Sequence, residues 1–355
     1  MKSEYFLCMF AAMLSVCMGC RPVETAQPGS QSNEQELPLR IRNAVGPDAL
    51  KLAGWEINNL VSAGGKQATT DPGITRFSDL PGNISEVLSE EKIAVFPQVR
   101  VKLEAPPPLL VISRRERIVY YDRILLRPGL PDQAMAEIED KVDALDLSSL
   151  VIQLGGFGAA YPAIVSPDMP AEHIVNAAVE EWAHQYLAFK PLGSLYLLDS
   201  LGLRQDPAVI AMNETLAGMI AREIGDKVYE RYYSNAGGRV NSAGQAVFDF
   251  NKEMRETRLS ADGLLAAGKI GEAEQYMKDR RLYFNQHGYA IRKLNQAYFA
   301  FHGIYGQDPG AVSPVYQDML KLRKNCVNLS GFVDKISGMA SYADLEKAAG
   351  SPAGQ

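Results

Sequence analysis

The run "VEEWAHQYL", residues 179–187, places two carboxylates and an imidazole within reach of one ion. On a helix, Glu180 and His184 lie four residues apart on one face, about one turn from each other, so both can point at the same cation. Glu181 sits roughly 100° round the axis and can address a group bound to that cation. A third ligand is needed, and "NETLAG", residues 213–218, offers one in Glu214. Asp206 followed by Pro207 provides a cap and a first turn, which puts Glu214 inside a second helix. Its helical neighbours Ala211, Ala217, Gly218 and Ala221 are small, as are Ala177 and Ala188 on the matching face of the first helix. Small residues let two helices come close, which is what bringing both onto one metal requires.

The pair "EEWAHQYL" and "NETLAG" resembles the gluzincin pattern of zinc metallopeptidases, in which HExxH supplies two His ligands and a downstream NExxA-type helix supplies Glu. It is more similar still to uncharacterised bacterial membrane lipoproteins that carry HEWxHxYLxFxPLG, then NETxA, then a helical tail. The corresponding runs are "EEWAHQYLAFKPLG", "MNETLAGMIAREIG" and "RKLNQAYFAFHGIYG", and the resemblance extends over roughly residues 100–345. It implies a zinc metallopeptidase-like fold, aminopeptidase-like, acting on a peptide or protein substrate. By position it makes His184 and Glu214 metal ligands and Glu181 the base that activates water. Position 180 departs from the pattern, with Glu where His stands.

Glutamate is a legitimate ligand, but a Glu180, His184, Glu214 set cancels the charge of a dication and weakens it as a Lewis acid. The oxygen-rich set also suits harder ions. Zinc (Zn2+) is the first expectation, with manganese (Mn2+) or no metal as alternatives. In such peptidases the substrate backbone pairs with an edge strand above the metal helix. "GGFGAAYPAIV", residues 155–165, stands in that place, and its glycines permit close backbone approach.

Other constellations are weaker. His173 shares a face with Glu180 and His184, but about 10 Å of axial rise separates it from Glu180, so it reads as a surface or helix-start histidine. A di-iron carboxylate site needs a second ExxH, and none of the other three histidines has Glu three residues before it. In the tail, Asn295, Tyr298 and His302 share helical spacing, with Arg292 a turn earlier. Tyr298 reads as a packing residue and His302 as a cap before Gly303; the functional alternative is that either donates to the oxyanion of a tetrahedral intermediate. No GxSxG elbow or P-loop is present, and "GGFGAA" lacks the third glycine of a dinucleotide loop.

The rest of the chain must position these groups. A net charge of −6 without a long Lys/Arg block excludes nucleic acid as a partner, because phosphate binding needs clustered cations. Residues 1–19 have the composition of an export signal. Gly19-Cys20 resembles a bacterial lipoprotein box that would put a lipid on Cys20 and anchor the chain to the cell membrane or cell surface. A polar tether follows over 20–42, and among the cysteines only Cys326 remains for the mature domain.

A first helix is expected over 46–63, then strands within 94–105, 107–113 and 117–126, the last two as a hairpin. A helix over 131–145 precedes strands within 149–156 and 161–165, the latter held to a sheet edge by Pro162. Helices are expected over 171–189, 207–224, 246–267, 270–284 and 286–303, with shorter ones to 347 and a disordered tail over 348–355. The fold class is therefore α+β: a mixed β-sheet N-terminal half, 43–170, leading into a metallopeptidase-like active-site helix and a helical C-terminal bundle, 171–347. Two functions fit this layout, a lipid-anchored metallopeptidase and a catalytically degenerate relative acting as a cell-surface binding or scaffold module.

Overall fold

The computed structural model of the chain describes residues 31–50, 75–200, 203–204, 206–234 and 248–350. The export signal, Cys20, the start of the tether and residues 51–63 of the expected first helix lie outside the described residues. The architecture is α+β, with two small three-stranded sheets in place of one mixed sheet.

Strands β2 (Leu109–Arg114), β3 (Asp122–Leu125) and β4 (Leu147–Ile152) form an antiparallel sheet in the order β3-β2-β4. The expected hairpin is there, with Leu110 opposite Ile124 and Val111 opposite Arg123. Strand β2 reads as a continuous apolar run because both of its faces are covered. Leu110 and Ile112 pack with Val151 against α1 (Gln31–Val45) and α3 (Asp132–Asp143). Leu109 and Val111 pack with Leu150 against Ala297 and Phe301 of a later helix. Residues 31–42, read as tether, are thus largely helical, and Leu37 and Ile41 are buried in this core. Gly46, at φ +59°, follows α1; Gly46–Asp48 form a 3-10 turn, and Ala49 then bridges Leu126, so the expected helix does not begin at 46.

The second sheet holds the strands that lead to the site. Strand β1 (Val101–Leu103) runs parallel to β6 (Ala163–Val165), and β5 (Gly156–Phe157) runs antiparallel on the other side of β6. Strand β6, expected at an edge, is central. Pro162 stands just before it, and the first ladder donor, the Ala163 N–H, reaches the Arg100 carbonyl at 2.9 Å. The edge facing the site helix is β5.

Helix α2 (Leu80–Glu90) is not among the expected elements, yet Leu80, Ile84, Val87 and Leu88 keep helical spacing and are buried, with Pro81 in its first turn. Helix α4 (Ala171–Leu187) follows β6, and α5 (Pro191–Ser200) was not foreseen. Helix α6 (Pro207–Tyr232) is capped as expected, the Asp206 carboxylate accepting from the Ala208 and Val209 amides at 3.0 and 3.2 Å. A side chain at Gly225 would collide with Asn176, so α6 packs tightly on α4 there. Gly218 faces Gln307 of a later loop instead.

Helices α7 (Phe250–Ala266) and α8 (Ile270–Gln286) are separated by Gly268 at φ +72°. The helix expected over 286–303 shrinks to α9 (Gln296–His302), because Gly288 at φ +89° breaks it and the Asn295 side chain caps the restart. Helices α10 (Val315–Asn325), α11 (Leu329–Ser337) and α12 (Tyr342–Gly350) complete the bundle. Helix α2 and Val165 belong to the same core as α4, α6 and α10–α12, so the boundary expected at residue 170 cuts through a core. No helix among the described residues is long and apolar enough to cross a membrane.

A buried acid ties the segment before α9 to the first sheet. Glu139 of α3 accepts from the Val151 amide at 2.6 Å and from Arg292 and Lys293, the latter also meeting Asp143 at 2.8 Å. Burial works against its charge, but the Arg292 hydrogen bond and the Lys293 charge hold its carboxyl below the usual value. Glu139 is 4% exposed and Arg292 46%, so solvent screens the pair in part. Glu139→Gln should therefore cost about 1–3 kcal/mol of unfolding free energy at neutral pH. A lowered folded-state pKa stabilises above the ordinary carboxylate range and is lost as pH falls through the folded value, so urea melts of the two proteins should converge in acid. Equal melts at neutral pH would contradict this role.

Candidate metal centre

Helices α4 and α6 bring Glu180, His184 and Glu214 together, with one ligand atom from each lying within 4.8 Å of the others. His184 Nε2 is 3.4 Å from Glu214 Oε2. The other Glu214 oxygen accepts from the Tyr196 hydroxyl at 2.7 Å, and the Tyr196 ring stacks on the imidazole with centroids 5.7 Å apart. Tyr196 comes from α5, so three helices fix the carboxylate of Glu214.

The imidazole is held from behind by Asn213, whose Nδ2 lies 3.0 Å from His184 Nδ1. Asn213 Oδ1 is buried without a partner. Rotating the amide end by half a turn places Oδ1 on a protonated Nδ1 and frees Nε2 to act as a ligand. A carbonyl on Nδ1 both orients the ring and raises its basicity. Asn213→Ala should weaken zinc binding about 10–100-fold with the stoichiometry unchanged, measured by competition with a chelating dye. Unaltered affinity would remove Asn213 from the site.

Glu181 lies on the β5 side of α4. A side chain at Gly156 would strike its carboxylate, and one at Gly158 would come within 2.6 Å of Oε2 and 2.8 Å of its backbone carbonyl. The Gly158 amide also hydrogen-bonds Glu181. The glycines read as room for a substrate strand therefore accommodate Glu181 itself. Gln185, one turn on, donates to the Gly158 and Ala160 carbonyls at 3.1 and 2.8 Å and pins this loop to α4. Trp182 does the same for the other side, its indole N–H meeting the Pro97 carbonyl at 2.9 Å.

The charges are shared unevenly. Burial pushes Glu181 up to about 8, with Glu180 and Glu214 adding repulsion and His184 opposing. Burial likewise raises Glu180. Burial disfavours the charged imidazole, yet the charge and hydrogen bond of Glu214, with Glu181 and Glu180 behind, raise His184 to about 9. Glu214 is held low against burial by His184, by Tyr196 and by the charge of Arg123. Glu214 and His184 thus favour each other's charge, and a dication bound there would displace the imidazole proton.

The group could hold a metal ion. Of the other expected residues, His173 is exposed at the start of α4. Tyr298 and His302 form their own pair: His302 Nδ1 meets Asp308 at 2.9 Å, and the Tyr298 ring lies 4.2 Å from the imidazole. Burial and the Asp308 charge raise the Tyr298 phenol. Among the described residues neither hydrogen-bonds Glu180, Glu181, His184 or Glu214. Of the phenols, Tyr196 hydrogen-bonds Glu214, and Tyr305 feels the charges of all three glutamates. Tyr305 is carried by a loop whose Gly306 amide donates to Thr215 of α6 at 3.3 Å. Compared with protein-family models, with curated proteins and with solved structures, the chain matches none.

Proposed function

We propose that this chain is an exported, lipid-anchored, metal-dependent peptide hydrolase of the metallopeptidase-like class. The observation that carries the proposal is the convergence of Glu180, His184 and Glu214 within 4.8 Å, with Glu181 on the same helix as Glu180 and His184. The one nitrogen and two carboxylate donors suit zinc or manganese. A divalent ion held there would polarise a peptide carbonyl and make water a stronger acid. Glu181 would be the group that takes a proton from water and returns it to the leaving amine, and its raised affinity for a proton suits both halves of the transfer. Tyr305, a phenol that burial keeps protonated, would be available to donate a hydrogen bond to a developing oxyanion. Asn213 and Tyr196 orient His184 and Glu214. The resemblance of "EEWAHQYL" and "NETLAG" to the gluzincin pattern supports the same reading, as does Gly19-Cys20 for the anchor.

The ion pair between His184 and Glu214 favours a second reading, in which the cluster is a self-neutralised remnant and the chain a binding module at the cell surface. Incubating the full chain with zinc or manganese and a mixed peptide pool separates the two. Cleavage products that appear by mass spectrometry and vanish with a chelator support the hydrolase; an untouched pool supports the module.

A further inference from the structure

A cation stands beside the metal group that the proposed chemistry does not use. Arg123 of β3 is exposed to solvent, yet its guanidinium reaches the C-terminal end of α5, donating from Nη2 to the Ser200 carbonyl at 3.1 Å. Ser200 lies one turn beyond Tyr196 on that helix, and Tyr196 is the residue that holds Glu214. Arg123 Cζ also lies 5.9 Å from the centre of the Tyr120 ring. Among the described residues the hydrogen-bond partners of the guanidinium are the Ser200 carbonyl and the Tyr120 hydroxyl, both neutral. Five N–H donors are more than these two need. The charges of Arg123 and Glu214 act on each other, in keeping with the short path from the guanidinium through Ser200 and Tyr196 to that carboxylate.

We propose that Arg123 is the anion-recognising residue of this site and binds a carboxylate of the peptide substrate, so that the bond hydrolysed lies close to that carboxylate. The inference rests on the hydrolase reading for what happens after binding, but the recognition step stands by itself. Glu214, held ionised, would repel an anionic peptide. Arg123 supplies the balancing charge. Its planar fork matches a carboxylate, and two fixed neutral partners hold it in place before the peptide arrives. The carboxylate is that of a free C-terminus or of an acidic side chain; both present the same two oxygens.

The test is equilibrium binding by calorimetry to the zinc-loaded full chain. Three N-acetylated short peptides are compared: a free acid, its C-terminal amide, and an amide carrying one Glu. A carboxylate should tighten binding about 10-fold or more over the neutral amide, and the arm that gains identifies the source. Arg123→Ala should abolish the gain while the bound zinc stays at one ion per chain, and Arg123→Lys should keep part of it. Equal affinity for all three peptides, binding of none, or a preference that survives in Arg123→Ala overturns the assignment. Hydrolysis without carboxylate preference removes the role of Arg123 alone, whereas carboxylate-dependent binding without hydrolysis removes the hydrolase reading alone.

Discussion

Replacing Glu181 with Gln should cut metal-dependent peptide hydrolysis by about 10²–10⁴-fold while the chain still binds one metal ion. The amide matches the carboxylate in shape, so the packing against Gly156 and Gly158 survives and the loop held by Gln185 stays in place. What is lost is the proton acceptor. Glu181 is not part of the Glu180, His184, Glu214 group, so the ligand atoms are untouched. The two readouts are the steady-state rate on a peptide cleaved by the wild type and the metal content of the same preparation. An unchanged rate would deny Glu181 its role as base. A rate that falls only because metal is lost would make it a structural support of the ligands.

The second large effect is on the metal itself. His184→Ala removes the only nitrogen donor of the group, and with it the partner of Glu214, so zinc affinity should fall by at least about 100-fold. Isothermal titration of the full chain at neutral pH reads this directly, with near-ultraviolet circular dichroism to show that α4 and α6 still pack. The complementary change is Glu180→His, which restores a neutral ligand and should tighten zinc binding. If His184→Ala binds zinc as the wild type does, the ion sits elsewhere and the convergence of α4 and α6 has another purpose.

The centre of this site was legible because it is a matter of spacing. Residues four apart on α4 must share a face, and Asp206-Pro207 fixes where α6 begins, so Glu180, His184 and Glu214 could be brought together on paper. Tyr196, Tyr305 and Arg123 could not, because each arrives from a different element and nothing local marks its direction. Asn213 stood in view within "NETLAG", but its contact with Nδ1 depends on how α6 is rotated against α4. The glycines of β5 were seen but assigned to a substrate, when it is Glu181 that needs the room.

Among the elements, long periodic helices and the β2–β3 hairpin followed from pattern. Helix α2 was missed, although Pro81 in its first turn costs no hydrogen bond. The helix expected over 286–303 was too long because a left-handed Gly288 outweighs the apolar pattern around it. Strand β6 was placed at an edge because proline was counted inside the strand instead of just before it.

The most direct test of the proposed centre is a crystal of the full chain grown with zinc or manganese and measured at the absorption edge of the metal. The expected result is a single anomalous peak between Glu180, His184 and Glu214, with Asn213 on Nδ1 of the imidazole and Tyr196 on Glu214. A peak at any other place, or an imidazole still paired with Glu214 and no peak at all in metal-saturated crystals, would contradict it.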